Sequence, residues 1–461
     1  MTNKKATRLQ RKGAKETLRL GEKALSYRKD LLSQDEAEEL ESSNLALTKV
    51  LKTKPILFEE LDTSAKRVDQ ALQKSGGLYY HKKAWVENIE MLLVAAIVVI
   101  GIRSFFVQPF IIPTNSMFPS FFGMQPKLYE EGESVPTLIE RGIDKIFLGA
   151  SHYQVVSESE GPLYLKLHNG TPFRFVKSSF PNGRFFIFPT TLREYIFEIG
   201  GKDHKLLVPA EFDLDELLAT KFGGTDDLRD LRIIVDQDEN FSGRERLKLS
   251  ERVVGKDEVA IAFDILLGDA LFVDRMSYNF ISPKVGDPAV FRTGSIDEFN
   301  RKLNLLVRGI GEDKYYIKRL VGEPGDYLEM RVPESIITNG TDVRKGVPGI
   351  LYRNGEPIQG NVAFRENNSR TEDLASNPNA KNVLGYPGYR SDGLLSNRKI
   401  LKIPDKKSPG NPTGKKAFFA MGDNSTNSLD GRSWGFVPEN EIIGRALFVY
   451  YPFTNRWGLS D

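Results

Sequence analysis

Hydrophobic and polar positions divide this chain into three unlike stretches. Residues 1–83 are polar, and their sparse apolar positions recur at helical spacing. Ser33 with Glu36 matches a capping box opening a helix over 33–52, Pro55 breaks the run, and a further helix over 61–75 stops at Gly76-Gly77. The pattern predicts a solvated helical hairpin. Next comes MLLVAAIVVIGI, Met91 to Ile102. As a helix these twelve residues rise only about 18 Å, short of a hydrocarbon core of about 30 Å. Extension from Ala84 to about Phe106 supplies the length, with Trp85 at an interfacial position, Glu87 and Glu90 near one interface and Arg103 near the other. A signal-peptide core or a buried helix shares this composition, but the long preceding segment disfavours a cleaved signal peptide. A single spanning helix is expected.

Beyond Phe106 the pattern alternates as in β structure. LYLKLHNGTPFRFV (163–176) predicts a hairpin around Asn169-Gly170, and FPNGRF (180–185) a second turn. AEFDLDELLATKF (210–222) is the one clear helix of that region, and 365–415, rich in Asn, Ser, Gly, Pro and Lys, is expected to contain an exposed loop.

Charge adds an orientation. Residues 64–83 hold five basic residues (Lys66, Arg67, Lys74, Lys82, Lys83) and 104–126 hold none, so the positive-inside rule places the N-terminus in the cytoplasm and everything after Phe106 outside. Thr114 and Ser116 then fall at the outer membrane surface. The first 29 residues carry ten Lys/Arg against two Glu, which suits either a solvated face or attachment to anionic lipid or RNA. The whole chain, at +2, gives no general argument for a nucleic-acid partner.

Composition narrows the chemistry. With no cysteine there are no disulfides, thiolate zinc sites or cysteine nucleophile, and the histidines are only His81, His152, His168 and His204. GRSWG (431–435) fits a nucleophile elbow, yet no histidine follows it, so Ser433 is read as structural. SYRK (26–29) fits S-x-x-K by chance on a charged helix, without the companion motifs. A serine nucleophile without histidine needs another base, and a lysine serves if burial keeps its amine neutral. KYYIKRLVGEPGD (314–326) offers such a strand, with Tyr316 and Lys318 on one face and Ile317 and Arg319 on the other.

PTNSM (113–117), GDALFVDRM (268–276), YYIKRLVGEPGD (315–326) and GDNSTNSLDGRSWGFVPENEIIGRA (422–446) resemble, in that order, the motifs of the type I signal peptidases. The resemblance covers about 84–122 and 256–455, but neither 1–83 nor most of 123–255. It implies Ser116 as nucleophile, Lys318 as general base and Ser428 as the residue orienting the amine. The Ser116 N–H and the Thr114 hydroxyl would bind the oxyanion, while Asp423, Asp430 and Arg432 brace the site. It further implies small residues at −1 and −3 of the substrate, with Phe110, Ile112, Tyr316 and Ile317 near those pockets, and no metal or cofactor.

Thr114 stands where the family usually has serine, and three further positions depart from the family pattern. Asn115 replaces the usual glycine and tolerates positive φ comparatively well; Ser425 stands where arginine is common, and Gly431 where serine is common. The largest departure is the insertion over 123–255, read as a folded α+β module that is either decoration or a docking surface for substrates or the secretion machinery.

The expected organisation is a cytoplasmic helical segment (1–83), a transmembrane helix (84–106), a mainly β serine peptidase domain (107–122 and 256–461) and the inserted module (123–255). The expected function is a single-pass peptidase of the cytoplasmic membrane, facing outward, that removes signal peptides from exported preproteins. The alternative is a catalytically silent membrane scaffold of the same family.

Overall fold

The computed structural model describes residues 5–77, 80, 84–130, 133, 135–178, 190–224, 228, 231, 233–238, 241–338, 346–377 and 388–460. The chain divides into two compact units, Met1–Gly101 and Ile102–Asp461.

Three helices shape the first unit: α1 (Arg8–Arg28), α2 (Gln34–Lys52) and α3 (Phe58–Ser75). Ser33 and Glu36 form the expected capping box, and Thr7 with Gln10 forms another at α1. These helices enclose a core of Leu40, Leu47, Leu61, Val68 and Leu72, so the segment is more than the solvated hairpin its polarity predicts. Small residues explain the difference. Ala14, Gly21 and Ala24 of α1 are buried, and Gly21 lies so close to Asn44 that a Cβ has no room. Helix α4 (Ala84–Phe105) follows, and its Asn88–Phe105 window has a mean hydropathy of 1.9 with none of it buried. Among the described residues it is the one helix long and apolar enough to cross a membrane.

The second unit is mainly β. Its central antiparallel sheet runs in the order Val107–Ile111, Ala270–Asp274, Ile442–Tyr451, Pro288–Arg292, Tyr315–Gly322, Ala417–Met421, Val437–Pro438. Tyr315–Gly322 is thus an interior strand, with Lys318 opposite Ala289 on one side and Arg319 opposite Met421 on the other. One apolar cluster contains Ile112, Met117, Leu271 and Val290, and another Phe291, Leu320, Phe418 and Trp434. Burial of its central residues therefore follows from position in the sheet, not from alternation alone.

A second sheet lies within 161–254, and its order corrects the expected hairpin over 163–176. Asn169 and Gly170 do turn the chain, with φ of 52° and 75°, and His168 bridges Thr171. The flanking strands Gly161–Lys166 and Arg174–Ser178 do not pair with each other, because Thr190–Ile199 lies between them. FPNGRF (180–185) lies outside the described residues. Helix α5 (Leu138–Leu148) was not expected, although Thr137 and Glu140 cap it and Gly149 ends it in the left-handed conformation. Helix α6 (Leu214–Gly223) matches the expected one. Residues 365–415 contain the expected exposed loop over 404–415, but the helix Val362–Ser376 occupies their start and buries Phe364 and Leu374. Strand Val259–Leu266 pairs with Gln125–Leu128 and Ser151–Val156, which fastens the inserted polypeptide to the chain leading into Gly268.

Candidate active site

The site is assembled from the end of one strand, the middle of another and a loop. After Val107–Ile111 the chain stays extended through Thr114 (φ −122°, ψ 155°) and then makes a single 3-10 turn, Asn115–Met117. Asn115 has no positive φ. Its value lies in its side chain, which accepts from the Gly123 N–H at 2.9 Å and from the Gln125 amide. The Ser116 carbonyl accepts from Asn424 N–H at 3.1 Å, and the Asn424 side chain donates to the Asn115 carbonyl at 3.2 Å. Both ends of the turn are therefore held before any substrate binds.

Ser116 and Lys318, 202 residues apart in sequence, meet here: Nζ lies 2.6 Å from Oγ. Both side chains are buried. Lys318 Nζ also donates to the Ile317 carbonyl at 3.1 Å and sits 5.5 Å from the Tyr316 ring centroid. Burial, only partly offset by the charges of Asp430 and Asp423, pulls the amine down from 10.5 to about 8.

Two buried ion pairs stand behind the dyad. Asp430 receives Arg432 Nε and Nη2, each at 2.8 Å, and the Gly422 N–H at 3.0 Å. Burial alone would raise the Asp430 carboxyl, but Arg432 and these hydrogen bonds hold it below the usual carboxylate range. Arg432 Nη2 also donates to the Ser425 carbonyl at 2.7 Å, and Asp392 lies 3.2 Å from its Nη1. Asp423 receives Arg319 Nε at 2.8 Å and Nη2 at 2.7 Å. Arg319 further donates to the Gly286 carbonyl at 2.7 Å and to Ser120 Oγ at 3.1 Å. Sequence reasoning missed Arg319. The available signal was its place next to Lys318 on a strand carrying Val321 and Leu320, where a cation needs a carboxylate partner.

Ser428 packs against Gly422, which also backs the Ser116 carbonyl so tightly that no Cβ fits. Its hydroxyl is buried and makes no bond to the Lys318 amine; among the described residues it meets no hydrogen-bond partner at good geometry, though it is near enough to help keep Asp430 ionised. The expected orienting bond is thus not formed in this state.

A cleft of about 880 Å³ opens beside the dyad. Phe110, Ile112, Tyr316 and Ile317 all line it, with Thr114, Ser116 and Lys318. Glu211, Asn427 and Leu429, not anticipated from sequence, line it as well.

The two unusual support residues are accommodated locally. Ser425 Oγ accepts from the Arg390 N–H at 2.8 Å. At Gly431 a Cβ would lie 2.8 Å from the Ala420 carbonyl and 3.0 Å from the Phe419 ring. Gly431→Ser, although it restores the common family residue, should therefore destabilise this protein by about 1–3 kcal/mol through overpacking. Equilibrium denaturation measures it; a neutral or stabilising result would reject the steric account.

A family model, "Signal peptidase, peptidase S26", matches residues 262–451. The "Probable signal peptidase I-1" of Synechocystis sp. is 30% identical over 191 residues, covering 41% of this chain and 66% of that protein. The "Signal peptidase I" of Bacillus amyloliquefaciens is 30% identical over 187 residues, 40% of this chain and 66% of that protein. This chain thus spans just under two thirds of the length of each. A crystal structure of a signal peptidase I from Enterococcus faecalis V583 aligns with a TM-score of 0.20 and 18% identity, over 36% of this chain and 97% of that one, and the assignment does not rest on it. On these sequence matches, residues 262–451 are similar to the signal peptidases of the S26 family.

Proposed function

We propose that this protein is a membrane-anchored serine endopeptidase, with a Ser116/Lys318 dyad, that removes signal peptides from exported preproteins after small residues at −1 and −3. The observation carrying this reading is the 2.6 Å contact between Ser116 Oγ and a buried Lys318 amine. With the amine at about 8, roughly a tenth of it is neutral at pH 7, against less than about a thousandth for an ordinary lysine.

In this mechanism the neutral amine takes the Ser116 proton as Oγ attacks the scissile carbonyl. The oxyanion forms against the Ser116 N–H and the Thr114 hydroxyl. The resulting ammonium protonates the departing amine, leaving an acyl-enzyme, and Lys318 then activates water for deacylation. Phe110, Ile112, Tyr316 and Ile317 supply apolar walls that favour small side chains.

An alanine-rich preprotein supplied to the purified protein tests this. Wild type should cleave it at one site, and Ser116→Ala should not. Thr114→Val keeps the shape but deletes a donor, so kcat should fall about 10²–10³-fold with KM little changed, whereas Thr114→Ser stays active. Cleavage surviving in Ser116→Ala, or equal kcat in both Thr114 variants, would count against the assigned roles. A scaffold without activity would leave all four proteins inert.

Anchoring by α4, with the N-terminus inside, follows from the basic residues preceding it and their lack over 104–126. External protease on spheroplasts should digest the chain beyond Phe106 and spare 1–83. Protection of the C-terminal part would overturn that orientation.

A further inference from the structure

The charged residues lining the cleft are Glu211, Asp313, Lys314 and the dyad's own Lys318. Asp313 is already neutralised by Arg292, whose Nε lies 2.7 Å and 3.0 Å from its two carboxylate oxygens. Lys314 is paired with Glu312. Glu211 is different: it is exposed to the cleft and makes no ion pair among the described residues. Its charge is felt at Lys314, which places it toward that end of the cleft.

Glu211 also has a firm mount. It sits in the turn after strand Lys202–Pro209, where the Phe212 N–H donates to the Pro209 carbonyl at 3.1 Å. Phe212 is 2% exposed and stacks on Phe263 at 6.1 Å, and Leu214 is fully buried. Phe212 and Leu214 belong to the inserted polypeptide, which thus delivers a carboxylate with no salt bridge among the described residues to a site whose dyad comes from elsewhere.

We infer that Glu211 reads a cationic side chain of the substrate, so that the inserted segment sets a charge preference N-terminal to the scissile bond. The position follows from geometry. Lys314 precedes Lys318 by four residues, about 13 Å along an extended strand. An extended substrate whose −1 carbonyl meets Ser116, and whose −3 side chain lies by Phe110 and Tyr316, brings residues −4 to −6 to Lys314 and Glu211. This placement rests on the proposed signal-peptide cleavage. An exposed carboxylate acting on a flexible cation is a modest effect, worth about two- to fivefold in kcat/KM.

The test uses full-length protein and peptides with alanine at −1 and −3, carrying Lys, Gln or Glu in turn at −4, −5 and −6. Wild type should prefer Lys over Gln over Glu at one of these positions, by about two- to fivefold per step, and the spread should shrink as salt rises to 0.5 M, roughly where screening is strong. Glu211→Gln should flatten the preference and Glu211→Lys should invert it, with the denaturation midpoint of each variant as the control for folding. Cleavage with no charge preference in wild type, or a Lys preference that persists in Glu211→Lys, would overturn the role of Glu211 and leave the peptidase activity standing. Failure of wild type to cleave any peptide or preprotein would overturn both.

Discussion

Replacing Lys318 by methionine is expected to abolish turnover while making the protein more stable at neutral pH. A positioned general base contributes about 10²–10⁴-fold to rate, and methionine has no proton acceptor of comparable basicity. Stability should move the other way. Burial draws the amine from 10.5 to about 8, a displacement equivalent to about 3 kcal/mol against its charged form. Below pH 8 both folded and unfolded states carry the proton, so wild type bears the whole penalty of a buried charge. Between about 8 and 10.5 the unfolded state holds more protons, and wild-type stability rises with pH through that window. Lys318→Met fills similar volume without charge, so its advantage should be largest at pH 7 and gone above about 10.5. Denaturation curves at several pH values measure this. The wild-type kcat/KM should in turn rise with pH to a plateau, with a midpoint near 8. A variant that is less stable at pH 7, or one that still turns over with the same profile, would remove Lys318 from the role of buried neutral base.

The meeting of Ser116 and Lys318 was legible because the two residues stand in short motifs, and the strand carrying Lys318 has an alternating pattern. What alternation could not convey was the strand's place in the sheet. Reading Tyr316 and Lys318 as one face and Ile317 and Arg319 as the other leaves Arg319 an unremarkable polar position. Strands on both sides and apolar clusters on both faces instead enclose it, at 1% exposure, and make Asp423 its necessary partner. That partner is 104 residues distant, and no local pattern links the two. The Asn169-Gly170 turn shows the same limit. Its backbone conformation follows from two residues, but the pairing of its flanking strands depends on Thr190–Ile199 entering between them. Helix α5 was a different kind of omission, since Thr137 and Glu140 carry a readable capping signal. Glu211 carries none, because a lone glutamate in a polar turn becomes informative only when the fold sets it beside Lys314.

The Arg319–Asp423 pair should show a large loss for either single change and little for a matched double change. Both side chains are about 1% exposed, so removing one leaves an uncompensated charge in the interior. Asp423→Ala or Arg319→Met should each cost about 3–5 kcal/mol, measured by urea denaturation. Arg319→Met combined with Asp423→Leu removes both charges and keeps volume, and should recover most of that stability. Activity should not recover with it. Arg319 also holds Ser120 and the Gly286 carbonyl, and Ser120 lies four residues from Ser116, so the double variant loses a tether on the segment carrying Ser116. Asp423 also favours the charged form of Lys318, so the activity midpoint of the double variant should fall below that of wild type. A double variant as unstable as the sum of its singles would mean that the pair's hydrogen bonds, and not its mutual charge compensation, support the site. Stability and kcat both restored to wild type would mean that the tether on Ser120 has no part in placing Ser116.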